Sequence, residues 1–314
     1  GHGGAGGRRF PDVDSHPRHG GPVDVREARR LFPATTARAY LNTAAVGLAS
    51  TGLTSAYHRY IDQWSAGGLD FVRGEAAAEA ARASVAGLMG ADRSDVALIA
   101  SVSAAAGLVA AQFGPAGAGH NVVIGEREYS SNHFPWRLLA RKGYEVRQVP
   151  FRHGGLEPAD VAAHVDRGTR LVAFSAVQTA TGHRSDIGAL REIARAVGAI
   201  VFDDGAQMVG ALPVADALGS IDVLATSDHK FLMNAGRGVG YCYLSKEMQD
   251  RFTPVNAGWR AGEVPFESFF GPEMNLSTTA SRFDNAVSWL AAVGDEAALA
   301  VFDTFDDPHL PQRL

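Results

Sequence analysis

The chain has 314 residues, of which 46% are apolar and 20% charged, and its formal net charge is −5. At about 150 residues per domain, this length predicts roughly two structural units, and the composition excludes global disorder. The charge argues against a broad nucleic-acid surface, no apolar run approaches the roughly 18 residues of a membrane span, and a single cysteine excludes an internal disulfide framework.

Residues 1–22 are rich in Gly, Pro, His and Arg and lack any apolar period, so they are predicted to be a flexible tail or linker. No charged segment followed by an apolar one marks a signal peptide. Together with the scarcity of cysteine, this makes the cytoplasm the expected compartment.

From about residue 24 onward, amphipathic helical patterns alternate with short, continuously apolar runs. The predicted helices cover residues 25–32, 54–64, 75–89, 104–112, 134–142, a segment after Pro158, and 187–197. The predicted strands cover residues 96–100, 122–124, 145–149, 171–175, 199–202, 223–226 and 239–244. This alternation indicates an α/β fold with a mostly parallel sheet covered on both faces. Ligands of such sheets bind at the carboxyl ends of the strands, so those ends are the candidate site.

Small or polar residues follow three of these strands. Residues 101–105 open a helix whose N-terminus suits an anion, although an ordinary serine cap explains the same residues. Gln178 is either a ligand donor or a loop amide. The pair Asp203 and Asp204 could hold Mg²⁺ or neutralise a protonated ring nitrogen, and Gln207 is in reach of the same ligand. The chain has no GxxxxGK[ST] motif, which would have favoured a magnesium site.

A fourth strand end carries Lys230. Of 29 basic residues, lysine occupies only positions 142, 230 and 246. Lys142 lies at a helix C-terminus, where the dipole explains it, and Lys246 lies in a polar helix start. Lys230 is therefore the candidate for covalent chemistry. A lysine amine, a carboxylate and an anion-binding helix N-terminus together suggest pyridoxal 5′-phosphate (PLP).

In this order the motifs resemble those of the class V aminotransferase family of fold-type I PLP enzymes, which includes cysteine desulfurases, kynureninases and cysteine C–S lyases. The segments that carry the resemblance are YLNTAAVG at 40–47, SVSAA at 101–105, EYSSN at 128–132, DGAQ at 204–207, SDHK at 227–230 and RFDNAV at 282–287. The resemblance implies a mostly parallel seven-stranded sheet sandwiched by helices. It also implies a large PLP-binding domain at 23–255, whose segment 23–70 contributes to the active site, and the incomplete start of a small C-terminal domain at 256–314.

The resemblance assigns a role to each site residue. Lys230 would form the Schiff base, Asp204 would pair with the pyridinium nitrogen, and Tyr129 would stack on the ring. The expected contacts to the ring hydroxyl are Gln178 and Gln207, with Gln207 as a donor. The expected contacts to the phosphate are Ser103, Ala104, Ser227 and His229. The expected substrate contacts are Asn42, Ala44, Arg237, Trp259 and Arg260, and no metal is expected.

Two motifs depart from the family pattern. Ser103 and Ala104 stand where many relatives carry Gly and Thr, and Ala286 and Val287 replace another Gly-Thr pair. In relatives that second threonine reaches the phosphate of the partner subunit, so one contact of the expected homodimer is in question. The arginine that binds the substrate carboxylate in relatives has no match in the C-terminal sequence.

The preferred function is a C–S lyase that cleaves cysteine or an S-substituted cysteine by β-elimination, as an enzyme or domain of natural-product or thiol biosynthesis. The alternatives are an aminotransferase or amino-acid epimerase and, second, a cysteine desulfurase. The desulfurase is disfavoured because the lone Cys242 lies in an apolar strand. Lys230 and Asp204 argue against a non-catalytic scaffold, and residues 236–240 are not the GxGxxG of a Rossmann dehydrogenase. The expected partner is a sulfur-containing amino acid, and binding to nucleic acid or to a membrane is not expected.

Overall fold

The computed structural model describes residues 25–234 and 236–303, and the tail predicted at 1–22 lies outside them. Within this part of the chain the helices are α1 (Val25–Arg30), α2 (Thr51–Ser65), α3 (Phe71–Met89), α4 (Val102–Ala111), α5 (Phe134–Arg137), α6 (Pro158–His164), α7 (Ile187–Arg195), α8 (Ala215–Leu218), α9 (Lys246–Arg251) and α10 (Trp289–Asp303). The strands are β1 (Val96–Ile99), β2 (Asn121–Gly125), β3 (Glu145–Val149), β4 (Thr169–Ser175), β5 (Ile200–Asp204), β6 (Val223–Ser227) and β7 (Gly240–Leu244).

All seven strands form one sheet in the order β1-β7-β6-β5-β4-β2-β3. Strands β2 to β6 pair in parallel, whereas β7 runs antiparallel to both of its neighbours, β1 and β6. The predicted mostly parallel seven-stranded α/β sheet is therefore confirmed. The strands end at one edge, because Ser175 of β4 pairs with Asp204 of β5, which in turn pairs with Ala225 of β6.

Side chains that alternate along each strand pack into separate apolar layers. In β1, Ala97 and Ile99 belong to a core that also contains residues of α4, while Val96 and Leu98 pack with residues of α3 and α10. Because successive side chains of a strand point to opposite faces, both faces of the sheet are covered. This double cover explains why the strands are continuously apolar.

Helices α2 and α3 begin before their predicted first residues because polar side chains cap their N-termini. The side chain of Ser50 accepts a hydrogen bond from the Leu53 amide and starts α2 three residues early. The side chain of Asp70 accepts from the Val72 amide and starts α3 four residues early. The predicted helix at 134–142 is divided into α5 and a 3₁₀ segment, Leu138–Lys142. No helix within 25–234 or 236–303 has the length and apolar character needed to cross a membrane.

Candidate active site

Lys230 lies in the loop that follows β6 and is only 9% exposed. Its Nζ lies 5.3 Å from the centroid of the Tyr129 ring. Burial lowers the pKa of Lys230, the negative charge of Asp204 opposes this shift, and the charge of Arg237 adds to it. The structure therefore brings Lys230, Tyr129 and Asp204 together, and burial favours the neutral, nucleophilic form of the amine.

The other two lysines have ordinary structural roles. Lys142 donates to the carbonyl oxygens of Ala110 at 3.2 Å and Phe113 at 2.6 Å, at the end of α4. Lys246 forms an ion pair with Asp95 at 2.6 Å, and its side chain is 65% exposed. Of the three lysines, Lys230 alone is buried at the carboxyl ends of the parallel strands.

Asp204 is the last residue of β5, and its buried carboxylate accepts a hydrogen bond from the Ala206 amide at 3.0 Å. Burial raises the pKa of Asp204, while the Ala206 amide and the positive charge of Lys230 lower it. A carboxylate in this setting gains stability from any further cation that enters the site. This is the environment that a protonated ring nitrogen requires of its partner.

The residues present at this edge fit PLP. Lys230 offers an amine for an aldehyde, Asp204 offers a carboxylate for a ring nitrogen, and Tyr129 offers a half-exposed aromatic face beside the lysine. Helix α4 begins directly after β1 and supplies amides without intrahelical partners for an anion. Each chemical group of the cofactor thus has a complementary group on this chain.

The two site glutamines are engaged differently. Gln178 donates from Nε2 to the Glu128 carboxylate at 2.8 Å, which leaves its second amide proton free of this contact. Gln207 donates from Nε2 to the Ala44 carbonyl at 3.0 Å and to the Thr179 hydroxyl at 3.3 Å. Both amide protons of Gln207 are therefore used within the protein. In this arrangement the Gln207 side chain holds Ala44 in place, and its expected donation to a ring hydroxyl remains a prediction.

Residues 40–47 pack against the Lys230 loop. Gly47 donates its backbone N–H to the carbonyl of His229 at 2.8 Å, and Tyr40 donates its hydroxyl to the carbonyl of Val46 at 2.7 Å. These bonds place the segment that contains the exposed Asn42 beside the lysine. Its expected role as a substrate-facing segment remains a prediction.

The expected phosphate contacts are held by local hydrogen bonds. Ser101 caps α4 by accepting from the Ala104 amide at 3.2 Å, and its hydroxyl lies 3.0 Å from that of Ser103. The Ala104 amide is thus already engaged. Ser227 ends β6, and the His229 ring lies 3.2 Å from the Asp228 carboxylate through Nδ1. Binding of phosphate by these residues remains a prediction.

Arg237 and Trp259 differ in how they relate to the lysine. Arg237 is exposed, has a positive φ of 44° and lies close enough to Lys230 for its charge to act on the amine. The Trp259 ring packs 5.0 Å from the ring of Phe269. Arg237 therefore stays a candidate substrate contact, and Trp259 belongs to an aromatic cluster.

Arg260 is engaged elsewhere. Its side chain is 4% exposed and forms ion pairs with Glu75, with Glu79 at 3.2 Å and with Asp284 at 3.7 Å. Asp284 also pairs with Arg82 and accepts from the Leu98 amide at 2.8 Å. The assignment of Arg260 to the substrate is corrected, because this buried cluster already neutralises its charge.

Two further buried carboxyl groups lie near the site: Glu128, to which the sequence assigned no role, and Asp203, which the sequence offered only as one member of an acidic pair. Glu128 precedes Tyr129, and Asp203 precedes Asp204. Alternation along β5 could have indicated that Asp203 and Asp204 point to opposite faces of the sheet. No sequence pattern shows that Glu128 reaches the end of β4.

Among residues 25–234 and 236–303, no group of three His, Cys, Asp or Glu side chains could hold a metal ion.

A model of the family described as "Aminotransferase class-V" matches residues 40–304. The chain is 26% identical to the uncharacterized aminotransferase YcbU of Bacillus subtilis over 91% of this chain and 75% of that protein. It is 29% identical to a probable cysteine desulfurase of Methanothermobacter thermautotrophicus over 74% of this chain, and spans only 60% of that protein's length.

A solved structure has the same fold. It is a lysine-to-alanine variant of C-DES with glycine covalently linked to its PLP cofactor. The TM-score is 0.76 at 20% identity, and the match covers 87% of this chain and 73% of that one.

Proposed function

The chain belongs to the class V aminotransferase family of PLP-dependent enzymes, and from this premise we propose that it is a C–S lyase acting on cysteine or an S-substituted cysteine. The observation that carries the proposal is the buried Lys230 amine, 5.3 Å from the ring centroid of Tyr129 and within the electrostatic reach of Asp204.

Each residue of this group has one task. PLP, when bound, supplies a conjugated ring that accepts the electron pair left when a proton leaves the substrate Cα. Asp204 holds the proton on the ring nitrogen, which keeps the ring able to accept that pair. Lys230 takes the Cα proton as a general base, a role that its lowered pKa favours. Tyr129 covers one face of the ring.

The proposed elimination balances without any further reactant except water. The Cα–H bond breaks and its proton passes to Lys230. The Cβ–S bond breaks, and sulfur leaves with its electron pair and takes up a proton. The remaining three-carbon fragment gains water and is released as pyruvate and ammonia. No electron acceptor or keto acid is consumed, which separates this reaction from transamination.

The environment of Cys242 supports elimination over persulfide transfer by this residue. Its side chain is fully buried in β7, and burial raises the pKa of its thiol to about 12. A persulfide-forming cysteine needs an accessible thiolate, so Cys242 is unsuited to that role. The relative named a probable cysteine desulfurase keeps desulfuration as the second candidate, with a sulfur acceptor other than Cys242.

The relative YcbU, named an aminotransferase, supports transamination as a further alternative, and an epimerase would share the same first proton transfer. The homodimer also remains a proposal. The strong exposure of Leu41, Phe270 and Met274 (94%, 90% and 75%) supports an apolar contact with another surface.

One assay separates the branches. The purified enzyme is incubated with PLP and with cysteine, cystine or a cysteine sulfoxide, first without and then with a keto acid. We expect stoichiometric pyruvate and released sulfur without the keto acid, and none from a Lys230→Ala variant. A Lys246→Ala variant, which loses only an exposed ion pair, is the matched control and keeps its activity. Turnover only with keto acid, or alanine with protein-bound persulfide as products, would contradict the lyase.

A further inference from the structure

Lys230 lies in a loop that closes on itself. The Asn234 amide donates to the Asp228 carbonyl at 3.1 Å, and the Met233 amide donates to the Lys230 carbonyl at 3.0 Å. These two backbone hydrogen bonds make residues 228–234, the Lys230 loop, a compact unit that ends at Asn234.

The Asn234 side chain is fully buried, and every hydrogen-bonding position of its carboxamide is used. Its Nδ2 donates to the Ala291 carbonyl at 2.9 Å and to the Asp295 carboxylate at 2.6 Å, both in α10. Its Oδ1 accepts from the Gly236 amide at 3.0 Å and from the Tyr57 hydroxyl of α2. A carboxamide offers no more than these two donors and two acceptor positions. The side chain therefore ties the end of the loop to two helices that are distant in the sequence.

The partners of Asn234 are themselves fixed. Asp295 is buried, and its second carboxylate oxygen accepts from the Tyr241 hydroxyl of β7 at 2.7 Å. Burial and the charges of Asp295 and Asp228 raise the pKa of Tyr57 to about 12, so this phenol keeps its proton near neutral pH. A buried polar network whose members all have partners is rigid.

Two glycines make room for the Tyr57 hydroxyl. A Cβ at Gly236 would lie 2.5 Å from the hydroxyl oxygen, and a Cβ at Gly294 of α10 would lie closer still. The hydroxyl can reach Asn234 because both neighbouring positions lack a side chain. Gly236 precedes Arg237, so the bond from its amide to Asn234 also fixes the backbone that leads to this candidate substrate contact.

Helix α10 has attachments that do not involve Asn234. Trp289 donates to Glu75 of α3 at 2.7 Å, and Glu296 pairs with Arg73, also of α3. The connection from β6 to β7 has no helix or strand of its own in its described residues, so contacts with its surroundings determine its shape. The contact with Asn234 therefore matters more to the loop than to the helix.

We propose that Asn234 is a positioning residue: anchored by Tyr57 and Asp295, it sets where the Lys230 amine meets the cofactor. This inference rests on the proposed PLP site but not on the branch of the reaction. A displacement of about 1 Å can cost a reacting group about 100-fold in rate. Loss of the anchor should therefore reduce both PLP affinity and turnover.

An exchange of the two side chains tests the contact itself. In Asn234→Asp, a carboxyl group faces the Asp295 carboxyl, and both Nδ2 donors are lost. In the double variant Asn234→Asp/Asp295→Asn, the carboxamide on α10 donates to the carboxylate on the loop, and its carbonyl oxygen still accepts from Tyr241. The exchange keeps one carboxyl and one carboxamide in the network. It restores every bond except the one to the Ala291 carbonyl.

The experiment compares the wild type, Asn234→Asp and the exchange variant by absorbance titration with PLP, by steady-state kinetics at saturating PLP and by thermal unfolding. Borohydride fixation first locates the cofactor in the wild type. We expect Asn234→Asp to bind PLP at least about 10-fold more weakly, and its kcat to fall about 10- to 100-fold. The exchange variant should recover most of both. Such recovery depends on the contact and not on general stability.

Two further variants separate position from stability. A Cβ at Gly74 would lie 2.7 Å from the Trp289 Cγ, so Gly74→Ala disturbs the packing of α10 on α3 without touching the loop. It should lower the melting temperature and keep the wild-type PLP affinity and kcat. Tyr57→Phe keeps the ring and removes one hydrogen bond to Asn234, so PLP affinity should fall about 3- to 10-fold. This milder change tests the same anchor if Asn234→Asp does not fold.

The outcomes separate this inference from its premise. Losses in Asn234→Asp and Tyr57→Phe that the exchange reverses, with Gly74→Ala unaffected in PLP affinity, support the positioning role. Wild-type PLP affinity in Asn234→Asp or Tyr57→Phe, no recovery in the exchange variant, or an equal loss in Gly74→Ala overturns it and leaves the proposed function standing. Failure of borohydride to fix the cofactor to Lys230 in the wild type overturns both.

Discussion

Asp203 and Asp204 are neighbours in β5, yet their carboxyl groups have different surroundings. Asp204 interacts with the charge of Lys230, whereas the interactions that shift the pKa of Asp203 are burial, two nearby carboxyls and one amide hydrogen bond from Ala176 at 2.7 Å. Burial and these negative neighbours raise the pKa of Asp203 well above its usual value. The surroundings of Asp203 therefore disfavour its charged form, and Asp204, beside Lys230, is the acid better placed to carry the working charge.

A pair of isosteric variants tests this difference. Asp204→Asn keeps the acceptor for the Ala206 amide but removes the charge, so turnover should fall by about 100-fold or more while the melting temperature stays near wild type. Asp203→Asn removes a carboxyl whose burial and negative neighbours already disfavour its charge, so its kcat should remain within a few-fold of wild type. Steady-state kinetics and thermal unfolding of both variants provide the measurement, and equal losses of kcat would contradict the assignment.

Position at the strand ends of a parallel sheet, where ligands bind, predicted Lys230 and the pair Asp203-Asp204 as candidates. The roles of Asp204 and Tyr129 came from the resemblance to the class V aminotransferase family. The same reasoning could not predict the side-chain partners of Gln207 or Arg260. Those depend on Ala44, Glu75 and other residues distant in the chain, whose approach is set by packing and not by local pattern.

At the scale of elements, the alternation of apolar runs and amphipathic helices predicted every strand of the sheet within about two residues. The order of the strands and the antiparallel direction of β7 were not predictable from periodicity, because β7 is as apolar as the strands that pair in parallel. Strand β5 also extends through Asp204 and includes the acidic pair predicted to follow it. The carboxylate is thus held by sheet hydrogen bonding and not by a loop.

The contact between residues 40–47 and the Lys230 loop depends on the absence of a side chain at Gly47. A Cβ there would lie 2.7 Å from the Met233 Cα and closer still to the Lys230 carbonyl oxygen, both backbone atoms. Met233 has a positive φ of 62°, so the loop already adopts a demanding conformation. The two segments can approach this closely only with glycine at position 47.

Gly47→Ala should therefore displace the lysine loop. We expect PLP affinity to fall at least about 10-fold and the free energy of unfolding to drop by about 1–3 kcal/mol, the usual cost of overpacking. Gly87, inside α3, has open space around it, so Gly87→Ala serves as the control and should be neutral or slightly stabilising. Cofactor titration by fluorescence and chemical denaturation provide the readouts. Unchanged PLP affinity in Gly47→Ala would contradict this role.

At the scale of the whole molecule, a buried ionic cluster secures the last described part of the chain. Arg82 of α3 pairs with Asp284, which also accepts from the Leu98 amide of β1, and Arg260 joins the same cluster. The motif around Asp284 therefore has an internal structural function in this chain.

The family match extends through this motif to residue 304, and the chain spans 60% to 75% of the length of the two relatives described.

The central claim is that Lys230 forms the covalent bond to PLP, and the low lysine content makes it directly testable. The PLP-loaded enzyme is reduced with borohydride, digested and mapped by mass spectrometry, in the wild type and in Lys230→Ala. We predict one phosphopyridoxyl group on the peptide that contains Lys230 and none on those containing Lys142 or Lys246. A label on either other lysine of the wild type, or a label retained by Lys230→Ala, would contradict the account.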